Sequence, residues 1–230
     1  MLSARLAALA RWVPIGSKLA DIGTDHGLLP VYLAKNGVIS KGIAVDVSDE
    51  SLKKARSAIK VANLEEILET RVGWGLKVIR PKEVDTVVIA GMGGPLIKSI
   101  LEEGHDVLSS ISLLILQPMN AVDVVRRWLV KNHFSIGHEE LVRDGRYIYE
   151  IVIAKHGYQK VANDLEYEIG FKLKENSDPL FKEFVQAKVE RARGIIDKLK
   201  DMETENAKVA MNELVDKVQK YEEVLKCYVL

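Results

Sequence analysis

The chain has 230 residues, 47% of them hydrophobic and 29% charged, with 33 basic side chains against 33 acidic ones. That is enough apolar material for one domain with a full core plus an appendage, and too much for a disordered chain. Zero net charge excludes a whole-molecule attraction to nucleic acid or to an anionic membrane, and the single Cys227 excludes an internal disulfide and a multi-cysteine zinc site.

Residues 2–16 mix apolar positions with Arg5 and Arg11 and are broken by Pro14 and Gly16. They read as neither signal peptide nor membrane span, and no later stretch reaches the roughly 18 apolar residues a span needs, so the chain is expected in the cytoplasm. Lys18 to Ile22 reads as a buried strand running into Asp21-Ile22-Gly23-Thr24-Asp25-His26-Gly27, followed by a helix from Leu28 to Asn36 that Asn36-Gly37 stops. Lys41 to Val47 is a second strand. Ser48-Asp49-Glu50 then opens a helix whose Leu52, Ala55, Ile59 and Ala62 recur at spacings of three or four. Further strands are expected at 67–72, at 84–90 before Gly91-Met92-Gly93-Gly94, and at 113–116 before Gln117-Pro118-Met119-Asn120. A helix over 121–132 precedes two strands, 134–140 and 147–154, joined through Asp144-Gly145.

Short apolar strands alternating with helices predict a parallel sheet covered on both faces, and the closing pair of strands predicts an antiparallel edge hairpin. That order suits a class I (Rossmann-like) methyltransferase sheet better than a dinucleotide dehydrogenase. Beyond residue 155 the pattern turns helical: Phe181, Val185, Val189, Ala192, Ile196 and Leu199 recur at three or four residues, as do Met211, Leu214, Val218, Tyr221 and Leu225. An α/β domain over 1–155 and an α-helical hairpin within 156–230, turning near 203–206, are therefore expected.

In open α/β sheets ligands sit at the carboxyl ends of the strands, so those segments are the candidate site. Gly23 lets the backbone approach a ligand, and Asp21 offers an acceptor to a hydroxyl or a cation. A nicotinamide fingerprint needs a second glycine where this chain has Asp25, a carboxylate that would repel a pyrophosphate. An adenosyl cofactor carrying cations and no phosphate suits such a loop; an ordinary helix-capping turn is the plainer alternative. Asp46 ends the second strand, where an acidic residue holds ribose hydroxyls or merely caps the next helix. Trp74, between Gly73 and Gly75, either stacks on a ring or fills space. The glycines at 91, 93 and 94 admit a planar substrate and offer N–H donors, or simply turn the chain. Gln117 and Asn120 either read a base edge or cap a helix. Arg126, Arg127 and Lys131 on one helix, with Arg143 and Arg146 at the hairpin turn, either meet phosphates or coat the surface.

Taken together, Leu2-Ser3-Ala4-Arg5-Leu6, Ala20 to His26, Leu29-Pro30, Ala90 to Gly94 and Gln117-Pro118-Met119 resemble the bacterial tRNA (adenine-N1)-methyltransferase family that acts at position 22, TrmK. The resemblance covers about the first 155 residues, with Trp74 as a departure. It implies S-adenosyl-L-methionine as methyl donor and N1 of an adenine in the D-arm of tRNA as acceptor, with neither a metal nor a membrane involved. Under it Asp21, Gly23, Thr24, Asp46 and Gly91 hold the cofactor, Asp25 and His26 lie near the transferred methyl, and Met92, Gly93 and Gly94 border the target base.

Overall fold

The computed structural model describes residues 2–175, 177–202 and 204–227. The opening segment, to which the sequence assigns no element, is helix α1 (Ala4–Trp12): the Ser3 side chain caps it by accepting the Leu6 N–H, and Ala8, Leu9 and Ala10 bury its inner face. Strands β1 (Ser17–Ile22), β2 (Ile39–Asp46), β3 (Leu68–Val72), β4 (Thr86–Met92) and β5 (Leu113–Pro118) alternate with helices α2 (Leu28–Lys35), α3 (Asp49–Val61), α4 (Gly94–Glu103), the short α5 (His105–Leu108) and α6 (Val122–Lys131). A long hairpin, β6 (Phe134–Asp144) and β7 (Tyr147–His156), and a short α7 (Leu165–Ile169) follow. The expected caps are present: Asn36 ends α2 and the Ser48 side chain opens α3 by accepting the Ser51 N–H.

The sheet has seven strands in the order β3-β2-β1-β4-β5-β7-β6. β1 to β5 are parallel; β7 runs antiparallel to both β5 and β6. Val87, Val88 and Ile89 of β4 and Leu114, Ile115 and Leu116 of β5 are fully buried, as central strands with helices on both faces must be. The fold is thus the expected class I sheet with an antiparallel hairpin at its edge.

Arg126 corrects one expectation. The sequence places it with Arg127 on a helix face that could meet phosphates, yet it is completely buried beneath α6. Its Nε donates to Glu139 Oε1 of β6 at 2.6 Å, its Nη2 to Glu150 Oε2 of β7 at 2.7 Å, and its Nη1 to the Tyr167 carbonyl at 3.0 Å. Glu139 Oε2 in turn accepts the N–H groups of Phe171 and Lys172. The two carboxylates hold the guanidinium firmly charged against the opposing effect of burial. A cation so enclosed cannot reach a phosphate; it bolts α6 to the hairpin and holds the chain beyond α7. The first compact unit accordingly runs over Met1–Lys172.

The second unit, Leu173–Leu230, is built on helices α8 (Phe181–Leu199) and α9 (Glu205–Cys227), which pack against each other. Phe181, Phe184, Val185, Val189 and Ala192 bury the apolar stripe of α8, with Ala207 and Tyr221 buried on α9. An Arg193–Glu222 ion pair joins the two helices. Of the turn expected at 203–206, Glu203 lies outside the described residues; Glu205 and Asn206 already belong to α9.

Candidate active site

The strand order reverses between β1 and β4, and at their carboxyl ends the chain opens a cleft. Gly23, Asp46, Gly73, Trp74, Met92 and Leu96 are among its lining residues, so the ends of all four strands β1 to β4 contribute. The helices that follow each strand splay the chain to opposite faces and leave this edge open.

The β1 loop is held down by β2, since Gly23 N and Thr24 N both donate to the Val45 carbonyl at 2.8 and 3.0 Å. Gly23 has φ +74, and a side chain there would run into the Met92 thioether, which lies over it. Asp21 is buried; Thr24 Oγ1 donates to its Oδ2 at 2.6 Å. Burial outweighs that bond and, with the nearby Asp46 carboxylate, pushes the Asp21 pKa up to about 6. Asp46 Oδ1 accepts the Ser48 N–H at 2.8 Å, while its other oxygen takes no hydrogen bond from a described residue. Trp74 forms part of the apolar wall with Leu96 and Ile100.

Asp25 and His26 stand at the turn into α2, both with solvent-open side chains, and neither lines the cleft. Asp25 has φ +51, an uncommon conformation for a residue with a side chain. His26 Nε2 lies 3.4 Å from Asp25 Oδ1 and 2.9 Å from Lys54 Nζ.

Across the cleft, the β4 and β5 ends are tied together: Met119 N donates to the Met92 carbonyl and Gly94 N to the Asn120 carbonyl, at 2.7 and 3.1 Å. A side chain at Gly94 would place its first carbon 2.2 Å from the Ala121 carbonyl oxygen, so glycine is required there by backbone rather than by ligand. Gln117, expected as a reader of base edges, is fully buried. Its Oε1 accepts both Arg5 Nη1 at 2.6 Å and Gly91 N at 3.1 Å, so its amide supports the glycine loop from beneath. Asn120 is exposed at the rim, with its side-chain oxygen beside Gly93.

Because β7 runs antiparallel to β5, the hairpin turn projects past the carboxyl end of β5 and brings the exposed Arg143 and Arg146 to the same edge as the glycine loop. Arg146 caps the Tyr147 ring at 4.9 Å. The sequence carries no signal for the part played by Arg5 and Tyr149. Arg5 of α1 reaches Gln117 and lies 5.7 Å from the Tyr149 ring centroid, while its backbone N–H donates to Asp144. The partners of Arg5 are more than a hundred residues away in the chain, and the opening Leu-Ser-x-Arg-Leu pattern marks the residue without showing its partners. Arg127 does not belong to this edge; it lies along α6.

An acidic, glycine-opened β1 loop, an acidic β2 end and a glycine-rich β4 end around one cleft define a class I methyltransferase. The fold is shared with the B. subtilis m1A22 tRNA methyltransferase TrmK, whose structure aligns with a TM-score of 0.90 at 30% identity over 98% of this chain and 99% of that one. A Streptococcus pneumoniae protein solved in complex with S-adenosyl-L-methionine aligns at 0.88 and 32% identity over 98% of this chain and 100% of that one. In sequence, the tRNA (adenine(22)-N(1))-methyltransferase of Bacillus subtilis (strain 168) is 33% identical over 231 residues, 97% of each chain. The family model for TrmK, tRNA (adenine(22)-N(1))-methyltransferase, matches residues 19–223, and the chain belongs to that family. It is therefore an S-adenosylmethionine-dependent tRNA (adenine-N1)-methyltransferase.

Among the described residues no helix is long and apolar enough to cross a membrane, and no group of three His, Cys, Asp or Glu side chains is placed to hold a metal ion.

Proposed function

We propose that this chain methylates N1 of adenine 22 in the D-arm of cytoplasmic tRNA with the cofactor seated in the β1–β4 cleft. The observation that carries this is one cleft with an apolar wall to which the ends of β1, β2 and β4 bring Gly23, Asp46 and Met92, with Asp21 buried nearby in the field of Asp46. The cleft fits the cofactor's chemistry: an oxygen of Asp46 is open to ribose hydroxyls, and Trp74 with Leu96 and Ile100 gives an adenine ring a dry face. When bound, S-adenosyl-L-methionine supplies an electrophilic sulfonium methyl.

Adenine N1 carries a lone pair, so no base is needed before transfer, and the chain's first task is positioning. Thr24 orients Asp21 toward a cationic group of the cofactor. Gly91, held by Gln117, lets the flat base come close to the backbone; Asn120 meets an edge of that base, and Arg143 and Arg146 hold flanking phosphates. The methylated ring gains positive charge or sheds a proton from its amino group, and Asp25, on the open turn that leads from the β1 loop into α2, stabilises that charge or takes that proton from the solvent side of the cleft. Position 22 is engaged in folded tRNA, so exposing it costs on the order of a few kcal/mol. Methyl transfer is the work of the sheet unit; the α8–α9 hairpin extends the grip on the RNA.

The direct test incubates the protein with labelled methyl donor and unmodified tRNA transcripts and maps the product nucleotide by mass. Label is expected at adenine 22 and absent from a transcript carrying guanine there; label elsewhere would refute the assignment. Asp25→Asn is expected to lower kcat on the order of a hundredfold with cofactor affinity unchanged. Full turnover in that variant would remove Asp25 from the chemistry.

A further inference from the structure

α4 and α6 start side by side at the glycine rim, where Gly94 N bonds the Asn120 carbonyl, and they pack against each other from there. Between them runs an open groove with about 800 Å³ of space. Its floor is Val124 and the edge of Trp128; its walls carry Lys98, His105, Arg127 and Lys131 against a single carboxylate, Glu102. The chain as a whole is neutral, so a channel with this excess of cations is a local departure from its surroundings.

The cations are free to exchange partners. Lys98 stands 3.6 Å from Glu102 with both side chains about half exposed, and Arg127 stands 3.4 Å from an Asp164 that is 83% exposed. Exposed pairs of this kind contribute little, so a phosphate can replace either carboxylate at small cost. The Arg127 guanidinium is also stacked 4.2 Å from the Tyr167 ring centroid, which fixes its plane without using its donors. From Val124 to Lys131 the groove follows α6 for about 10 Å at 1.5 Å per residue, long enough for more than one phosphate of a polynucleotide strand.

We propose that the α4–α6 groove is an RNA-backbone channel, in which Lys98, Arg127 and Lys131 hold consecutive phosphodiesters of the strand that leads to the glycine rim. This rests on the tRNA methyltransferase reading above and extends it to a surface away from the cleft. Its occupant is a phosphodiester backbone, because the lining offers charge and a shallow apolar floor but no enclosed pocket for a base.

The test compares the triple variant Lys98→Gln, Arg127→Gln, Lys131→Gln with a control triple of equal charge change outside the groove, near the starts of β2 and β4, Lys41→Gln, Arg80→Gln, Lys82→Gln. tRNA affinity is measured over a salt series, and S-adenosyl-L-methionine affinity and melting temperature are measured alongside. The groove variant is expected to lose about tenfold or more in tRNA affinity at low salt, and the slope of log affinity against log salt is expected to flatten by about 2 to 3. Cofactor affinity and melting temperature should match the wild type, and the control should bind tRNA as the wild type does. If the wild type binds and methylates tRNA while the groove variant and the control bind it equally, the channel is overturned and the enzymatic reading stands. If the wild type neither binds nor methylates any tRNA, both fall.

Discussion

Asp21→Asn is expected to stabilise the cofactor-free protein at neutral pH and, in the same molecule, to weaken S-adenosyl-L-methionine binding by about ten- to a hundredfold. The two effects have one cause. Asp21 is buried beside Thr24 and within the field of Asp46, and its pKa is pushed from 3.8 to about 6. The folded state therefore holds the Asp21 proton more tightly than the unfolded chain does. The stability this contributes is fully present below about pH 4 and is lost as pH rises through 6. At 1.4 kcal/mol per unit the loss amounts to about 3 kcal/mol at neutral pH. Asparagine keeps an acceptor for Thr24 without a charge to desolvate, so thermal unfolding of the variant should be flatter between pH 4 and 7 and lie higher at pH 7. Cofactor binding runs the other way: a cationic ligand favours the ionised carboxylate, so wild-type affinity should rise with pH through 6 and the variant's should not. Titration calorimetry at pH 5 to 8 checks this. A variant less stable than the wild type at pH 7 would mean that Asp21 is ionised and already paired in the cofactor-free fold.

The second large effect concerns the buried Arg126. Arg126→Met leaves Glu139 and Glu150 enclosed without a counter-charge, a situation that costs about 3–5 kcal/mol. For a unit of this size that lowers the melting temperature by roughly 10 °C. Converting the partners as well, in Arg126→Met with Glu139→Gln and Glu150→Gln, should recover most of the loss. The buried charges then disappear together, while the amide oxygen that Glu139→Gln introduces can still accept the Phe171 and Lys172 N–H groups. Measured well below the transition, tRNA affinity of the single variant should stay near that of the wild type. Wild-type melting with lost tRNA binding would instead put Arg126 on the RNA.

Arg126 also shows where reading along the chain fails. It falls four residues after Val122 and three before Leu129, on the apolar stripe of α6, so its inward position was in principle legible. What hid it was chemistry: an arginine on such a stripe is tolerable only if carboxylates meet it, and those come from β6 and β7, 13 and 24 residues further on. Gln117 is similar. Its place at a strand end was visible, but its burial follows from Arg5 swinging in from α1, 112 residues away. The N-terminal helix is hard to read in the sequence because two arginines interrupt its apolar run, one reaching inward to Gln117 and the other pairing with Glu140.

The sequence by itself determined the order of the sheet's seven strands, several of the helices between and after them, the glycine and aspartate positions at the strand ends, and the family. These are local properties: apolar period, capping residues and turn chemistry act within a few residues, and in a parallel α/β sheet chain order alone brings every strand's carboxyl end to one edge. Only the tertiary structure decided which polar side chains face that edge, which are enclosed beneath it, and that α4 and α6 leave a basic groove beside it. Those outcomes depend on desolvation and on charge partners that come together only when distant segments pack. A neutral composition could therefore conceal both a buried cation and a basic channel.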